Sequence, residues 1–101
     1  MKYANHIDEC EDGDYFEFMP GPYDGRTGNE DSLYLNVEIF DDLELKELIT
    51  EIIPEFDSYG ITTVVADEWK QLAARSEVFA EMQDWAADVY KQYDEMTLIG
   101  L

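Results

Sequence analysis

Six carboxylates fall within the twelve residues Ile7–Phe18: Asp8, Glu9, Glu11, Asp12, Asp14 and Glu17. Acids this dense suggest a calcium loop, the turn of a β-hairpin, or negative surface offered to something basic. An EF-hand loop needs oxygen ligands at positions 1, 3 and 5, glycine at 6 and a bidentate glutamate at 12. Counted from Asp8, Asp12, Gly13 and Asp14 fit, but position 3 is Cys10 and position 12 is Met19. One ligand and the bidentate clamp are therefore missing. The flanking helix is missing too, since Tyr15-Phe16-Glu17-Phe18 has strand character. The calcium loop does not fit.

Zinc fares no better. His6 and Cys10 are the one histidine and the one cysteine, whereas structural zinc sites favour three or four Cys/His ligands. Cys10 reads as a small, half-buried apolar residue and His6 as a surface histidine beside carboxylates. A single cysteine forms no intramolecular disulfide. The sequence has no Gly-rich phosphate loop followed by lysine, no nucleophile elbow and no His-Glu-x-x-His. Two carboxylates can make a glycosidase, but among 25 acids pairs arise by chance, and so small a chain leaves little room for a cleft. The expectation is a non-enzyme with no metal and no cofactor.

What remains is the placement of charge. Glu44, Glu47, Glu51 and Glu55 share one stripe of a helix expected after Phe40, opposite its leucines. Within a lone helix Glu47 and Glu51 repel by a few tenths of a kcal/mol, about 0.2–0.5. Lys46 offsets Asp42, but the stripe has no partner inside its own helix. Asp12 and Asp14 sit at a turn, and Asp24, Glu30 and Asp31 in a long loop. Tyr23, Tyr34 and Tyr59 are interleaved with these acids, and tyrosine is enriched among interface anchors. An acidic rim with tyrosine anchors suits a basic protein target.

These residues need a scaffold. Asp12-Gly13, flanked by Tyr3, Asn5, Ile7 and by Tyr15–Met19, predicts a hairpin. Residues 20–31 are a loop by every turn criterion, and loops of this length are often functional or mobile. Leu33–Phe40 alternates as a strand, with Leu33, Leu35, Val37 and Ile39 on one face. Asp41 and Glu44 give a helix-start signal. Leu45, Leu48, Ile49 and Ile52 point inward on that helix, which Pro54 closes. Ile61–Val65 is a short strand or extended link, and Asp67 caps a helix bearing Trp69. Ser76 restarts a last helix with Phe79, Met82, Trp85, Ala86, Val89 and Tyr93 as its core stripe. Residues 96–101 either dock or add an edge strand. The fold class is α+β: a small antiparallel sheet with two to three helices packed on one face.

The chain has 101 residues, taken as one domain 1–101, and 25 acids against 6 bases give a net charge of −19. Apolar residues make up 46%, enough for a core without staples. Carboxylates packed within a few Debye lengths of about 8 Å repel one another. Nucleic acid and membranes are poor partners, because phosphate binding runs on Lys/Arg counterion release. Met1–His6 lacks the apolar run of a signal peptide, and no segment suits a membrane span. A cytoplasmic protein with a basic protein partner is expected.

The segment Ile52-Ile53-Pro54-Glu55-Phe56-Asp57-Ser58-Tyr59-Gly60-Ile61-Thr62, followed by Trp69, resembles the central part of small acidic immunity proteins. These are encoded beside bacterial polymorphic or contact-dependent growth-inhibition toxins. The resemblance covers about a fifth of the chain and implies a cytosolic inhibitor of a toxin domain, often a nuclease with a basic cleft. No interface residue transfers from it. From charge and tyrosine placement, the expected partner-binding residues are Asp12, Asp14, Tyr23, Asp24, Glu30, Asp31, Glu44, Glu47, Glu51, Asp57 and Tyr59. The alternative is a phage-type DNA mimic, an anti-restriction or anti-CRISPR inhibitor, which needs carboxylates at phosphate-like intervals on an elongated surface.

Overall fold

Alternation in the strands decides which side of the sheet the helices take. A computed structural model of the chain describes residues 2–11 and 13–100. Five strands, β1 (Ala4–Asn5), β2 (Tyr15–Pro20), β3 (Leu33–Asn36), β4 (Ile61–Val65) and β5 (Glu95–Ile99), pair antiparallel in the order β1-β3-β2-β5-β4. Helical chain comes in three stretches: α1 (Val37–Asp42) with α2 (Leu45–Ile52), α3 (Ala66–Arg75), and α4 (Glu77–Glu81) with α5 (Gln83–Gln92). The fold is α+β, as the sequence pattern predicts.

Phe16, Phe18, Leu33, Leu35, Val64, Met96 and Leu98 turn one face of the sheet into a single buried cluster with the helices. Trp69 is 1% exposed and packs edge-on to Phe18 and Phe79, with centroids 6.4 and 5.6 Å away. Its indole N–H donates to Gln83 Oε1 (2.9 Å), so the large ring is buried without an orphaned donor. Phe16 stacks on Phe40 at 4.0 Å, fixing α1 to the sheet.

Several sequence expectations are corrected. The hairpin across Asp12-Gly13 does not form: β1 pairs with β3 rather than β2, and Ile7–Glu9 is a 3₁₀ turn. The ladder to β2 comes instead from β3, across the long loop. The strand read to Phe40 stops at Asn36, whose side-chain oxygen accepts the Glu38 N–H (2.7 Å) and caps α1. Asp41 does not start a helix. It lies in the last turn of α1, and Glu44, in left-handed geometry at φ 53°, turns the chain into α2. Pro54 does follow the end of α2, whose C-cap is Ile53. Asp67 is not the cap of α3, which begins one residue earlier, with Glu68 Oε1 accepting the Val65 N–H (3.0 Å). Ser76 caps α4 as expected, but the last helix breaks at Met82. The apolar tail is no edge strand: β5 is interior to the sheet, between β2 and β4.

The sheet's second face is covered by the loop between β2 and β3. Glu17 points there from β2 and is only 4% exposed. Its carboxylate accepts from Gly28 N–H (2.8 Å), Asn29 N–H (3.2 Å), Asn29 Nδ2 (2.9 Å) and Ser32 Oγ (2.7 Å). Tyr34 Oη donates to Asn29 O (2.9 Å), and Thr97 Oγ1 to Gly21 O (2.9 Å), pinning both ends of the loop. The domain is nearly isotropic, 32 × 28 × 24 Å. No described helix is long and apolar enough to cross a membrane.

Candidate functional site

Local folding at the amino-terminal end gathers acids that are scattered in sequence. The 3₁₀ turn Ile7–Glu9 is closed by Glu9 N–H to His6 O (3.0 Å) and Cys10 N–H to Ile7 O (3.2 Å). It projects Asp8, Glu9 and Glu11 into solvent. α1 begins beside it, because Val37 N–H donates to Asp14 O (3.0 Å). Glu38 and Asp42 are one helical turn apart on α1, both exposed. Glu9, Glu11, Glu38 and Asp42 thus line one groove of about 420 Å³, with Tyr3 and Tyr15 in its walls. Lys2, at its rim, lies 5.0 Å from the Tyr3 ring centroid.

Two further grooves join this one. The first, about 500 Å³, shares Cys10, Glu11 and Tyr15 with it and runs over the second face of the sheet past Ile7, Tyr34 and Ile99. The second, about 460 Å³, shares Glu9 and brings in His6, Asp8 and Glu30. The outcome is one connected, acidic, tyrosine-bearing surface centred on residues 6–11 and 13–15. Glu81 fastens its base by accepting the backbone N–H groups of Lys2, Tyr3 (3.0 Å) and Ala4 (3.3 Å).

Within it, titratable groups divide by environment. Burial pushes the Glu17 carboxyl up, but the donors of Ser32, Gly28 and Asn29 outweigh it and hold the group below the ordinary glutamate value. Burial, then the Glu17 charge, pushes the Tyr34 phenol up to about 12. Burial, then the charges of Glu9 and Asp8, raises the Cys10 thiol, so it stays protonated, which disfavours nucleophilic work. The Cys10 thiol donates to His6 O (3.4 Å) and is half-buried, as expected of it. His6 is tied in more firmly than a surface histidine: it is half-buried, with Nδ1 donating to Ser32 O (3.1 Å). Among the described residues no group of three His, Cys, Asp or Glu side chains is arranged to hold a metal ion.

The residues expected from sequence are spread over four regions. Asp12 lies outside the described residues. Glu30 is part of the connected surface, and Asp14 borders it through Tyr15 and the bond to Val37. Tyr23 and Asp24 are exposed on the loop, where Arg26 pairs with Asp24 (3.0 Å) and holds its carboxyl below the usual range. Asp31 is exposed, with its carbonyl accepting from Trp85 Nε1 (3.0 Å). Glu44, Glu47 and Glu51 are exposed along the α1–α2 junction and α2. Glu51 pairs outside its own helix, with Arg75 of α3 at 2.7 Å. Asp57 and Tyr59 share a turn in which Asp57 Oδ1 accepts the Tyr59 N–H (2.9 Å), and Tyr59 is 81% exposed. Sequence reasoning missed Tyr3, Glu9, Glu11, Tyr15, Glu38 and Asp42 as a set. The available signal was the i, i+4 spacing of Glu38 and Asp42, visible only once that segment is known to be helix.

No protein-family model, no curated protein and no solved structure matches the chain.

Proposed function

We propose that this protein is a non-catalytic inhibitor of the immunity type. It acts in the cytoplasm, binding a cognate bacterial toxin domain, a nuclease by expectation, and covering its basic active site. The observation that carries the reading is the connected surface around residues 6–11 and 13–15, where Asp8, Glu9, Glu11, Glu30, Glu38 and Asp42 stand exposed beside Tyr3 and Tyr15. None of these six carboxylates is in the ion pairs Arg26–Asp24, Arg75–Glu51 and Lys91–Asp88 found among the described residues. A cleft shaped for phosphates attracts such a surface, and the long-range field steers association toward ~10⁸–10⁹ M⁻¹s⁻¹ at low salt. The near-equal dimensions of 32 × 28 × 24 Å offer no long rod-like face for phosphate-spaced carboxylates, so the DNA-mimic alternative is the less supported one.

The test is co-expression with the toxin domain encoded beside this gene, followed by binding kinetics of the purified pair. Rescue of growth is expected. The association rate should fall markedly between ~50 and ~500 mM salt, as screening shortens the reach of the field. Glu9→Lys with Glu38→Lys should weaken binding while the fold persists. No rescue, or an association rate indifferent to salt, would count against the reading.

A further inference from the structure

β4 ends the sheet: it pairs with β5 on one side and with no other described strand. Gly100 N–H donates to Gly60 O (2.8 Å) at the start of their ladder. Alternation from that bonded pair directs Thr62 and Val64 toward β5 and turns the backbone N–H and C=O groups of Ile61 and Thr63 outward. The side chains at 61, 63 and 65 are exposed, Ile61 at 44% and Val65 at 43%. Edge strands are ordinarily blunted by charge, proline or a bulge. β4 reads Ile-Thr-Thr-Val-Val in unbroken register and has none of these.

This open edge lies in a stretch with no base between Lys46 and Lys70, while Glu47, Glu51, Glu55, Asp57, Asp67 and Glu68 all fall within it. Glu55 and Glu68 line, with Ile53 and Ile61–Thr63, a groove of about 350 Å³ beside the strand. At the far end Glu95 stands directly opposite Val65. Backbone valences and the carboxylates of Glu55 and Glu68 are therefore offered side by side.

We propose that the outer edge of β4 accepts an extended, Lys/Arg-bearing segment of the basic partner as a sixth strand of the sheet. This rests on the reading above that the partner is a basic protein. Ile61 and Thr63 supply the main-chain bonds, and the flanking carboxylates select for basic side chains at alternate positions. A second copy of this chain is the wrong occupant, since pairing β4 with itself would bring the same carboxylates together on two bodies of net charge −19.

Residue-resolved amide exchange by NMR, free and in complex with the toxin domain encoded beside the gene, tests this. The Ile61 and Thr63 amides should exchange fast in the free protein and slow about tenfold or more in the complex, the protection expected of newly made backbone bonds. Thr63→Pro removes an outward N–H without touching the β5 ladder, so it should keep the native spectrum and bind about tenfold more weakly. Thr63→Val should bind as the wild type does. If Thr63→Pro fails to fold, the wild-type exchange data decide. A complex in which the Ile61 and Thr63 amides stay unprotected overturns the strand-acceptor assignment and leaves the basic-partner reading intact. No complex at ~50 mM salt, where the field reaches furthest, overturns both. Protection that grows with the concentration of the free protein gives the edge to a second copy and also overturns the proposal.

Discussion

On the helix-covered face of the sheet, Phe16, Phe18, Leu35, Met96 and Leu98 meet Trp69, Phe79 and Met82, and among the described residues no buried side-chain nitrogen or oxygen lacks a hydrogen-bond partner. On the opposite face, one charged residue does the organising: Glu17 collects four donors from the crossing loop. The first face gains its stability from area removed from water and responds to lost volume. The second depends on a few directional bonds around a buried charge, and responds to protonation. Glu9 and Glu11 have the same side chain as Glu17 but stand exposed, and of the two carboxylates only that of Glu9 accepts a described hydrogen bond, from the His6 N–H of its own turn. Environment, not residue type, separates the structural carboxylate from those free to bind.

The largest break expected in this comparison is on the apolar face. Trp69→Ala empties the centre of the aromatic cluster and should cost about 3–5 kcal/mol, read as a lower midpoint in urea unfolding. Trp69→Phe keeps most of the volume and should cost clearly less, because it strands only the Gln83 oxygen. Equal losses for the two would mean that the indole hydrogen bond, not packing, holds the cluster. On the other face, Glu17→Ala leaves the Ser32 hydroxyl and the loop amides without their acceptor. A loss of about 1–3 kcal/mol follows. Its signature is local: trypsin should cut after Arg26, exposed on the loop, much faster in the variant, while the core spectrum is unchanged. Uniform loosening instead would show that the loop is part of the global cooperative unit.

How far the two faces were legible in the sequence follows the same division. Leu33 and Leu35, Phe16 and Phe18, and the stripe Leu45 and Ile49 announce burial through their spacing, and each is buried. Alternation misled at Val37–Phe40, where apolar residues suit either period and the Asn36 cap decides for helix. β1 is two residues long and β5 pairs in mid-sheet, and neither placement leaves a local trace. Glu17 occupies what alternation marks as a solvent position, and its donors lie eleven to fifteen residues downstream. Of the site, Asp14, Glu30 and the acidity itself could be read in advance. The groove of Glu9, Glu11, Glu38 and Asp42 could not, because the pattern puts Glu38 on a strand and Asp42 in the helix after it, whereas both lie on α1.

Titration sharpens the contrast between the faces. The folded Glu17 carboxyl lies below its ordinary value, so its stabilising contribution is complete above the unfolded value of about 4.3 and is lost as pH falls through the lower folded one. Wild type should therefore lose stability on acidification in that range more steeply than Glu17→Ala, which has no such proton to gain. Parallel curves would place the acid sensitivity elsewhere.

The smallest effect is expected where the same residue type is exposed. Glu9→Gln with Glu11→Gln removes two negative charges from a crowded acidic surface and, apart from the Glu9 Oε1 contact to the His6 N–H (3.4 Å), breaks no described hydrogen bond. Surface changes of this kind ordinarily stay within about 0.5 kcal/mol, and relief of like-charge repulsion gives the shift a stabilising sign at low salt. The midpoint of thermal unfolding should therefore hold or rise slightly, with any gain shrinking as salt is added. Binding to the basic partner should move the other way, through a slower on-rate. A double variant that lost stability on the scale of Glu17→Ala would show Glu9 and Glu11 to be structural carboxylates, and the distinction drawn between the two populations would collapse.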